Sequence, residues 1–378
     1  MEDLRAAWTL DPAVAFLNHG SFGACPEPVL RAQAEWRARM EREPVLFLDR
    51  EIDGLLAGAR ARAARFLRAD PDGLVFVPNT TTAVSTVLAS IPFADGDEIV
   101  TTDQVYGAVR GIIDRICERT GAQARVAPVH LPVSGASAVT GAIAGAITGA
   151  TRLVIADHVT SPGALVYPIA EIVRHCRSRG VPVLVDAAHG PGMTEVDVDA
   201  LGADYWCGNF HKWVCAPKGS AALWVTQEHR AGFRPLVTSH PHLETVHQRF
   251  DWTGTFDPTA WLAVPAAIDF FDGAGWDRVR ARNVEMAERG RAIVAHAIGA
   301  PRIAPPDMHA AMTVVPLPAG VAPTRAAASA LTRRLYDEHR IEVPVNVAAG
   351  QALLRLSAHL YNIESDYERL AAALPALL

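Results

Sequence analysis

Val181-Pro182-Val183-Leu184-Val185-Asp186-Ala187-Ala188-His189-Gly190 is the stretch on which the fold turns. Its apolar run does not alternate, the pattern of a strand buried on both faces, and it ends in a carboxylate. Four runs of the same kind surround it: Leu74-Val75-Phe76-Val77, Glu98-Ile99-Val100-Thr101, Leu153-Val154-Ile155-Ala156 and Ala221-Ala222-Leu223-Trp224-Val225. Helical stretches separate them. Ile169 to Arg179, for example, sets Ile169, Ile172, Val173 and Cys176 on one face and stops at Gly180. Strand and helix in alternation from about Asp70 to Trp224 predict a doubly wound α/β domain with a mostly parallel sheet. Beyond about Pro265 come a long helix, a proline-rich join at Pro301 to Pro306, and then strand, helix, strand, strand, helix, which suits a smaller C-terminal α+β domain.

Ligands of such sheets sit beyond the carboxyl ends of the strands, so the polar residues there carry the chemistry. After Val77 comes Pro78-Asn79-Thr80-Thr81-Thr82, ahead of a helix expected from about Ala83 to Ala89. The cluster reads equally as a helix cap and as a phosphate cradle. Tyr106, after the second strand, can stack on a flat ligand or pack locally. Asp186 and His189 stand at the mouth of a central strand, where an isolated Asp would simply cap the next turn. Phe210-His211-Lys212-Trp213 sets a lysine among Trp206, Phe210 and Trp213, poor company for a surface charge, and predicts a partly desolvated amine suited to Schiff-base chemistry.

That lysine is one of two. The chain has 378 residues, 50% hydrophobic and 20% charged, with net charge −6; among its 35 basic Lys and Arg residues only Lys212 and Lys218 are lysines. Arginine cannot stand in for an amine that must lose its proton. The scattered arginines of a mildly acidic chain form no stripe for nucleic-acid phosphates. The longest run without Asp, Glu, Lys or Arg, Val126 to Thr151, is broken by Pro128, His130 and Pro132 and reads as a surface loop and helix, so no membrane span is expected. Gly141, Gly145 and Gly149 within it read as an ordinary surface helix rather than a membrane motif. Met1-Glu2-Asp3 lacks the basic opening of a signal peptide. Cys25, Cys117, Cys176, Cys207 and Cys215 form no CxxC pair and no metal-ligand spacing with histidine, so reduced thiols, a cytoplasmic location and no metal are expected.

Taken together, the strand-end residues fit pyridoxal 5′-phosphate. That cofactor needs a lysine for its aldehyde, a helix N-terminus for its phosphate, an aromatic over its ring and a carboxylate at its pyridine nitrogen. A nicotinamide-dependent oxidoreductase lacks its fingerprint, since no GxGxxG follows the first strand.

Eight motifs in order carry a family resemblance: Leu17-Asn18-His19-Gly20-Ser21-Phe22-Gly23, Asn79-Thr80-Thr81, Tyr106-Gly107-Ala108, His158-Val159-Thr160-Ser161-Pro162-Gly163, Asp186-Ala187-Ala188-His189, His211-Lys212-Trp213, Trp252-Thr253-Gly254-Thr255, and Arg355-Leu356-Ser357 with Tyr361-Asn362. With these the chain resembles fold-type I pyridoxal-phosphate enzymes of the class V aminotransferase group, and within it the isopenicillin N epimerase-like branch. The resemblance implies a large cofactor-binding domain over residues 21–264 with a seven-stranded, mostly parallel sheet. It also implies an N-terminal arm over 1–20 that contributes to the site, a small α+β domain over 265–378, and a homodimer with shared sites. Lys212 would carry the cofactor and move protons at the substrate Cα. Asp186 would pair with the pyridinium nitrogen, His189 and Ser161 would lie near the ring hydroxyl, and Tyr106 would stack. Asn79, Thr80, Thr81 and His211 would hold the phosphate, with Thr255 from the neighbouring subunit. Arg355 would grip the substrate carboxylate, while Asn18 and His19 would close over an amino-acid substrate. Lys218 receives no role and reads as a surface lysine.

Two departures bear on the reaction. Relatives that extract sulfur use a cysteine on the loop before the carboxylate-binding arginine, but Val343 to Gly350 has none, nor does anything after Cys215. Phe256 stands where the branch often has an arginine, which removes a grip on a second acidic group and points to a bulkier or less acidic substrate. The reading therefore leans to a C–S lyase that eliminates the sulfur substituent of a cysteine, or related secondary-metabolite chemistry. Epimerisation, decarboxylation with deamination, transamination and an inactive cofactor-binding protein remain as alternatives.

Overall fold

The computed structural model describes residues 2–240, 243–348 and 350–378; Met1 of the expected arm and Ala349 of the cysteine-free run lie outside them. After the two-residue β1 (Ala15–Phe16) come β2 (Leu74–Val77), β3 (Glu98–Thr102), β4 (Gln123–Ala127), β5 (Thr151–Asp157), β6 (Val183–Ala187), β7 (Tyr205–Asn209) and β8 (Ala221–Val225). The last seven form one sheet in the order β2-β8-β7-β6-β5-β3-β4. Only β8 runs against its neighbours; the other pairings are parallel. This is the α/β sheet of a fold-type I enzyme.

The lack of alternation has a direct cause. Val183, Val185 and Ala187 of β6 enter one core with Val100, Val154 and Trp206, while Leu184 enters a second with Ile99, Ile155 and Leu223 on the opposite face. Both faces are covered, so every position is apolar until the strand ends. Residues two apart share a face. Asp186 therefore follows Leu184, Asp157 follows Ile155 and Asn209 follows Cys207, all toward the side where the helix Thr80–Ser90 packs.

Two strands escape the apolar-run reading. β4 is an edge strand whose Gln123, Arg125 and Val126 are not buried, and β7 closes on Cys207-Gly208-Asn209, which lacks a β-branched signature. β6 begins two residues later than the run suggests, at Val183, because Pro182 has no N–H to give to a ladder. The helix expected from Ala83 begins instead at Thr80, with Asn79 as its cap, so Thr80 and Thr81 occupy its first turn. Within Val126 to Thr151, the helix Ala136–Ala146 leaves open space at Gly141 and Gly145, as expected of a surface helix. No described helix is long and apolar enough to cross a membrane.

A second sheet is antiparallel, in the order β11 (Val345–Ala348), β12 (Gln351–Ser357), β9 (Met312–Pro316), with the helices Trp276–Ile298, Arg325–His339 and Glu364–Ala373 packed around it. The N-terminal segment belongs to this unit by pairing: β1 runs parallel to β10 (Ile341–Glu342), the Ser357 N–H donates to the Leu17 carbonyl at 2.9 Å, and the Gly20 N–H to Ser357 Oγ at 3.1 Å. Asn18 and Ser21 are thereby delivered to Arg355 on β12.

The turn that follows β7 and carries Lys212 is held from two sides by glycines. Gly23, at φ +61°, would place a Cβ 2.5 Å from the His211 carbonyl oxygen, and Gly192, at φ +85°, would place one 2.6 Å from the Trp213 carbonyl carbon. Gly192→Ala should therefore combine left-handed strain, on the order of 1–3 kcal/mol, with a backbone clash. Its denaturation midpoint should fall clearly below wild type; an unchanged midpoint would show that the turn is not gripped there.

Candidate active site

A cavity of about 340 Å³ opens at the carboxyl ends of β2, β5, β6 and β7, large enough for a small aromatic cofactor with substrate. Asn79, Thr80, Thr81, Tyr106, Ser161, Asp186, His189, His211 and Lys212, all foreseen from sequence, line it together. So do Asp157, Asn209 and Lys218, for which sequence reasoning gave no part.

One end is built from the helix Thr80–Ser90. The first N–H groups of any helix lack intrahelical partners. Asn79 Oδ1 takes that of Thr82 at 2.8 Å and Asn209 Oδ1 that of Thr80 at 3.1 Å; neither takes that of Thr81. The Asn79 side chain is thus spent on capping. His211 donates from Nδ1 to the Ser220 carbonyl at 2.9 Å, and burial lowers its pKa to about 4, so it faces the cavity neutral. Positive charge at this end comes from Lys218, whose Nζ donates to the Gly23 carbonyl. Lys218 is exposed, as the surface-lysine reading has it, and it also lines the cavity beside Gly219, a place the sequence did not suggest.

At the centre, Lys212 Nζ lies 3.1 Å from His189 Nε2, and Trp213 Nε1 donates to His189 Nδ1 at 3.2 Å. With Nδ1 accepting, a neutral imidazole carries its proton on Nε2 and donates it to the lysine, which must then be the free amine. Electrostatics agree. Burial, then Arg355, lower the Lys212 pKa to about 7 against the opposing pull of Asp186 and Asp157, and burial holds His189 well below its ordinary value. The Lys212 carbonyl is fixed in turn by the Cys215 N–H at 3.0 Å and by His19 Nε2 at 3.0 Å.

His19 departs from expectation. It is fully buried behind the lysine turn, with Tyr361 Oη 2.6 Å from its Nδ1, and does not line the cavity. It supports the lysine rather than closing over a substrate. His19, Cys215 and His359 also bring three metal-type ligand atoms within 4.8 Å of one another. The His19 and His359 rings are stacked at 4.3 Å and His19 is already occupied at both nitrogens, so their lone pairs do not converge.

Behind the cavity-lining Ser21 and Ser161, Arg355 is 4% exposed and has no carboxylate partner among the described residues. Its Nη1 donates to Ser161 through the carbonyl at 2.8 Å and Oγ at 3.0 Å; its Nη2 donates to Ser21 Oγ at 2.8 Å and Asn18 Oδ1 at 3.4 Å; Nε is unpartnered. Burial lowers its pKa to about 10. Withdrawing such an ion from water costs several kcal/mol, which an anionic ligand would offset. Asn18 is tied to Glu342 at 2.9 Å and so reaches the site through Arg355.

Asp186 accepts the Ala188 N–H at 2.9 Å and is otherwise open to the cavity; burial raises its pKa. Thr255 is exposed and Phe256 packs at a tilt against Trp261 with ring centres 4.8 Å apart, and neither lines the cavity of its own chain. The donor set fits pyridoxal phosphate: an open helix N-terminus, a buried unpaired carboxylate and a desolvated amine lie on one wall.

Fold and site together define a pyridoxal-phosphate enzyme of fold type I. Residues 25–370 match the family Aminotransferase class-V, and the chain belongs to it. It is 38% identical to an isopenicillin N epimerase of Amycolatopsis lactamdurans, over 99% of this chain and 97% of that one. It is 33% identical to a probable L-cysteine desulfhydrase of Arabidopsis thaliana, over 97% and 84%. Among solved structures, the fold is shared with the cystine C–S lyase C-DES. A C-DES mutant with glycine covalently linked to the PLP cofactor matches at TM-score 0.82 and 22% identity, over 97% of this chain and 98% of that chain.

The lowered Lys212 pKa has a testable sign. Only the free amine reacts, so in cofactor-free protein reductive alkylation of Lys212 should rise about tenfold per pH unit below 7 and level off above it. Peptide mapping across pH checks this; a rate still climbing toward the ordinary lysine value of 10.5 would contradict the desolvated setting.

Proposed function

We propose that this protein is a pyridoxal-phosphate-dependent C–S lyase that removes the sulfur substituent of an S-substituted cysteine, acting as a cytoplasmic homodimer. The observation that carries the amino-acid part is Arg355: a buried guanidinium with no acid partner among the described residues, bonded to the cavity-lining Ser21 and Ser161 and near enough to Lys212 to oppose its charging. Its planar fork suits an α-carboxylate. The cysteine-free run Val343–Ala348 and the relatives named L-cysteine desulfhydrase support elimination over persulfide transfer.

When bound, the cofactor supplies an electron sink that acidifies the substrate Cα–H. The protein's residues do the rest. Thr80, Thr81, His211 and Lys218 would hold the phosphate, and Asp186 would keep the pyridine nitrogen protonated. Tyr106, which begins the helix Gly107–Thr120 and is 46% exposed, covers the ring. Arg355, steadied by Ser161 and Ser21, fixes the carboxylate, and Lys212 takes the Cα proton. His189, wedged between Lys212 and Trp213, keeps the amine oriented. Loss of the Cα proton and of the thiolate from Cβ, followed by hydrolysis, yields thiol, pyruvate and ammonium. Thr255 completes the phosphate site from the partner subunit, and Phe256 faces that subunit's substrate pocket.

The 38% identity to a protein named isopenicillin N epimerase favours a second reading, in which the proton returns to Cα from the other face. Incubating S-conjugated cysteines with the holoenzyme in deuterium oxide separates the two by mass spectrometry. Elimination gives pyruvate with one equivalent of thiol; recovered amino acid deuterated at Cα, without pyruvate, would establish epimerisation instead.

A further inference from the structure

One carboxylate in the cavity has no part in this scheme. Asp157 is the last residue of β5 and Asp186 the last but one of β6, the two are register partners on neighbouring parallel strands, and both line the cavity. Asp157 is 3% exposed, and its Oδ2 forms no hydrogen bond among the described residues. The groups around Asp157 are Asp186, the backbone N–H groups of Tyr106 and of Asp157 itself, and Lys212 as the cation, with Cys207 on β7 and Tyr167 after β5 held neutral beside it. None of them pairs with Asp157 as a counter-ion. Asp186, by contrast, has the Ala188 N–H at 2.9 Å. Two adjacent buried acids cannot both ionise at neutral pH, and the proton stays on the one whose carboxylate oxygen is buried with no donor, Asp157 Oδ2.

We propose that Asp157 holds the single proton of the Asp157–Asp186 pair and, as a positioning residue, presents Asp186 in its ionised form to the pyridine nitrogen. The proton placement is a property of the chain alone; only its use rests on the cofactor reading. Burial and then the neighbouring Asp186 push Asp157 well above the ordinary carboxylate range.

The test is the infrared difference spectrum of cofactor-free wild type minus D157N near neutral pH. A carbonyl stretch of a protonated carboxylic acid, shifting in deuterium oxide, should appear in wild type and vanish in D157N; ionised-carboxylate bands in its place would overturn the proposal. D157V supplies the same subtraction should D157N fail to fold. Pyridoxal phosphate titrations add a second readout. D157N, which keeps a donor, should bind within about threefold of wild type, whereas D186N should bind more than about tenfold weaker. Equal weakening by D157N and D186N would mean that Asp157 acts by its charge and would also overturn the proposal. Wild type that binds no pyridoxal phosphate would refute the cofactor reading, while the infrared band would still decide where the proton sits.

Discussion

Everything in the cavity depends on keeping one amine out of water. A lysine in a bulk-like setting would be an ammonium ion at neutral pH, unable to attack an aldehyde or accept a proton from carbon. Here the half-buried Lys212 holds its amine against His189 beside Trp213 and the strand ends, and a buried cation, Arg355, opposes its charging. The carboxylates that could restore the charge are themselves burdened. Two unit charges about 5 Å apart, the spacing of neighbouring strands, repel by about 3 kcal/mol at an effective dielectric of about 20. Asp157 and Asp186 therefore carry less negative charge than their number suggests, and the amine stays free.

This arrangement is expensive in stability, and the rest of the fold restrains it. The lysine turn is clasped by Gly23 and Gly192, its carbonyl is held by His19 and Cys215, and its His189 contact is set by Trp213. Arg355 comes from the second sheet, and the N-terminal segment that feeds it Asn18 and Ser21 is bonded to that same sheet at Ser357, through Leu17 and Gly20. Relative movement of the two sheets would move the arginine and its supports as one body with respect to the lysine, a natural way to admit substrate and then close on it.

Much of this was legible in the sequence. The unbroken apolar runs gave the buried strands because both faces of the sheet are covered, and the rule that ligands sit at carboxyl ends led to Asp186, Thr80, Tyr106 and Lys212. Asp157 was within reach of the same rule, standing directly after Leu153-Val154-Ile155-Ala156, and the parity of Leu184 and Asp186 would have placed it on the correct face. Asn209 was hidden because Cys207-Gly208-Asn209 does not look like a strand. The position of His19 depends on the fold of a turn some two hundred residues away, and Lys218 on the path of the chain past Gly219. Local pattern carries neither. Thr255 and Phe256 lie outside the cavity of their own chain, and the part proposed for them depends on a second subunit.

The account stands or falls on which amine is the reactive one, and two lysines make that question unusually clean. Incubating the protein with pyridoxal phosphate, reducing with borohydride and mapping the peptides by mass spectrometry should place a single phosphopyridoxyl group on Lys212 and leave Lys218 free. A label on Lys218, or none at all, would contradict it.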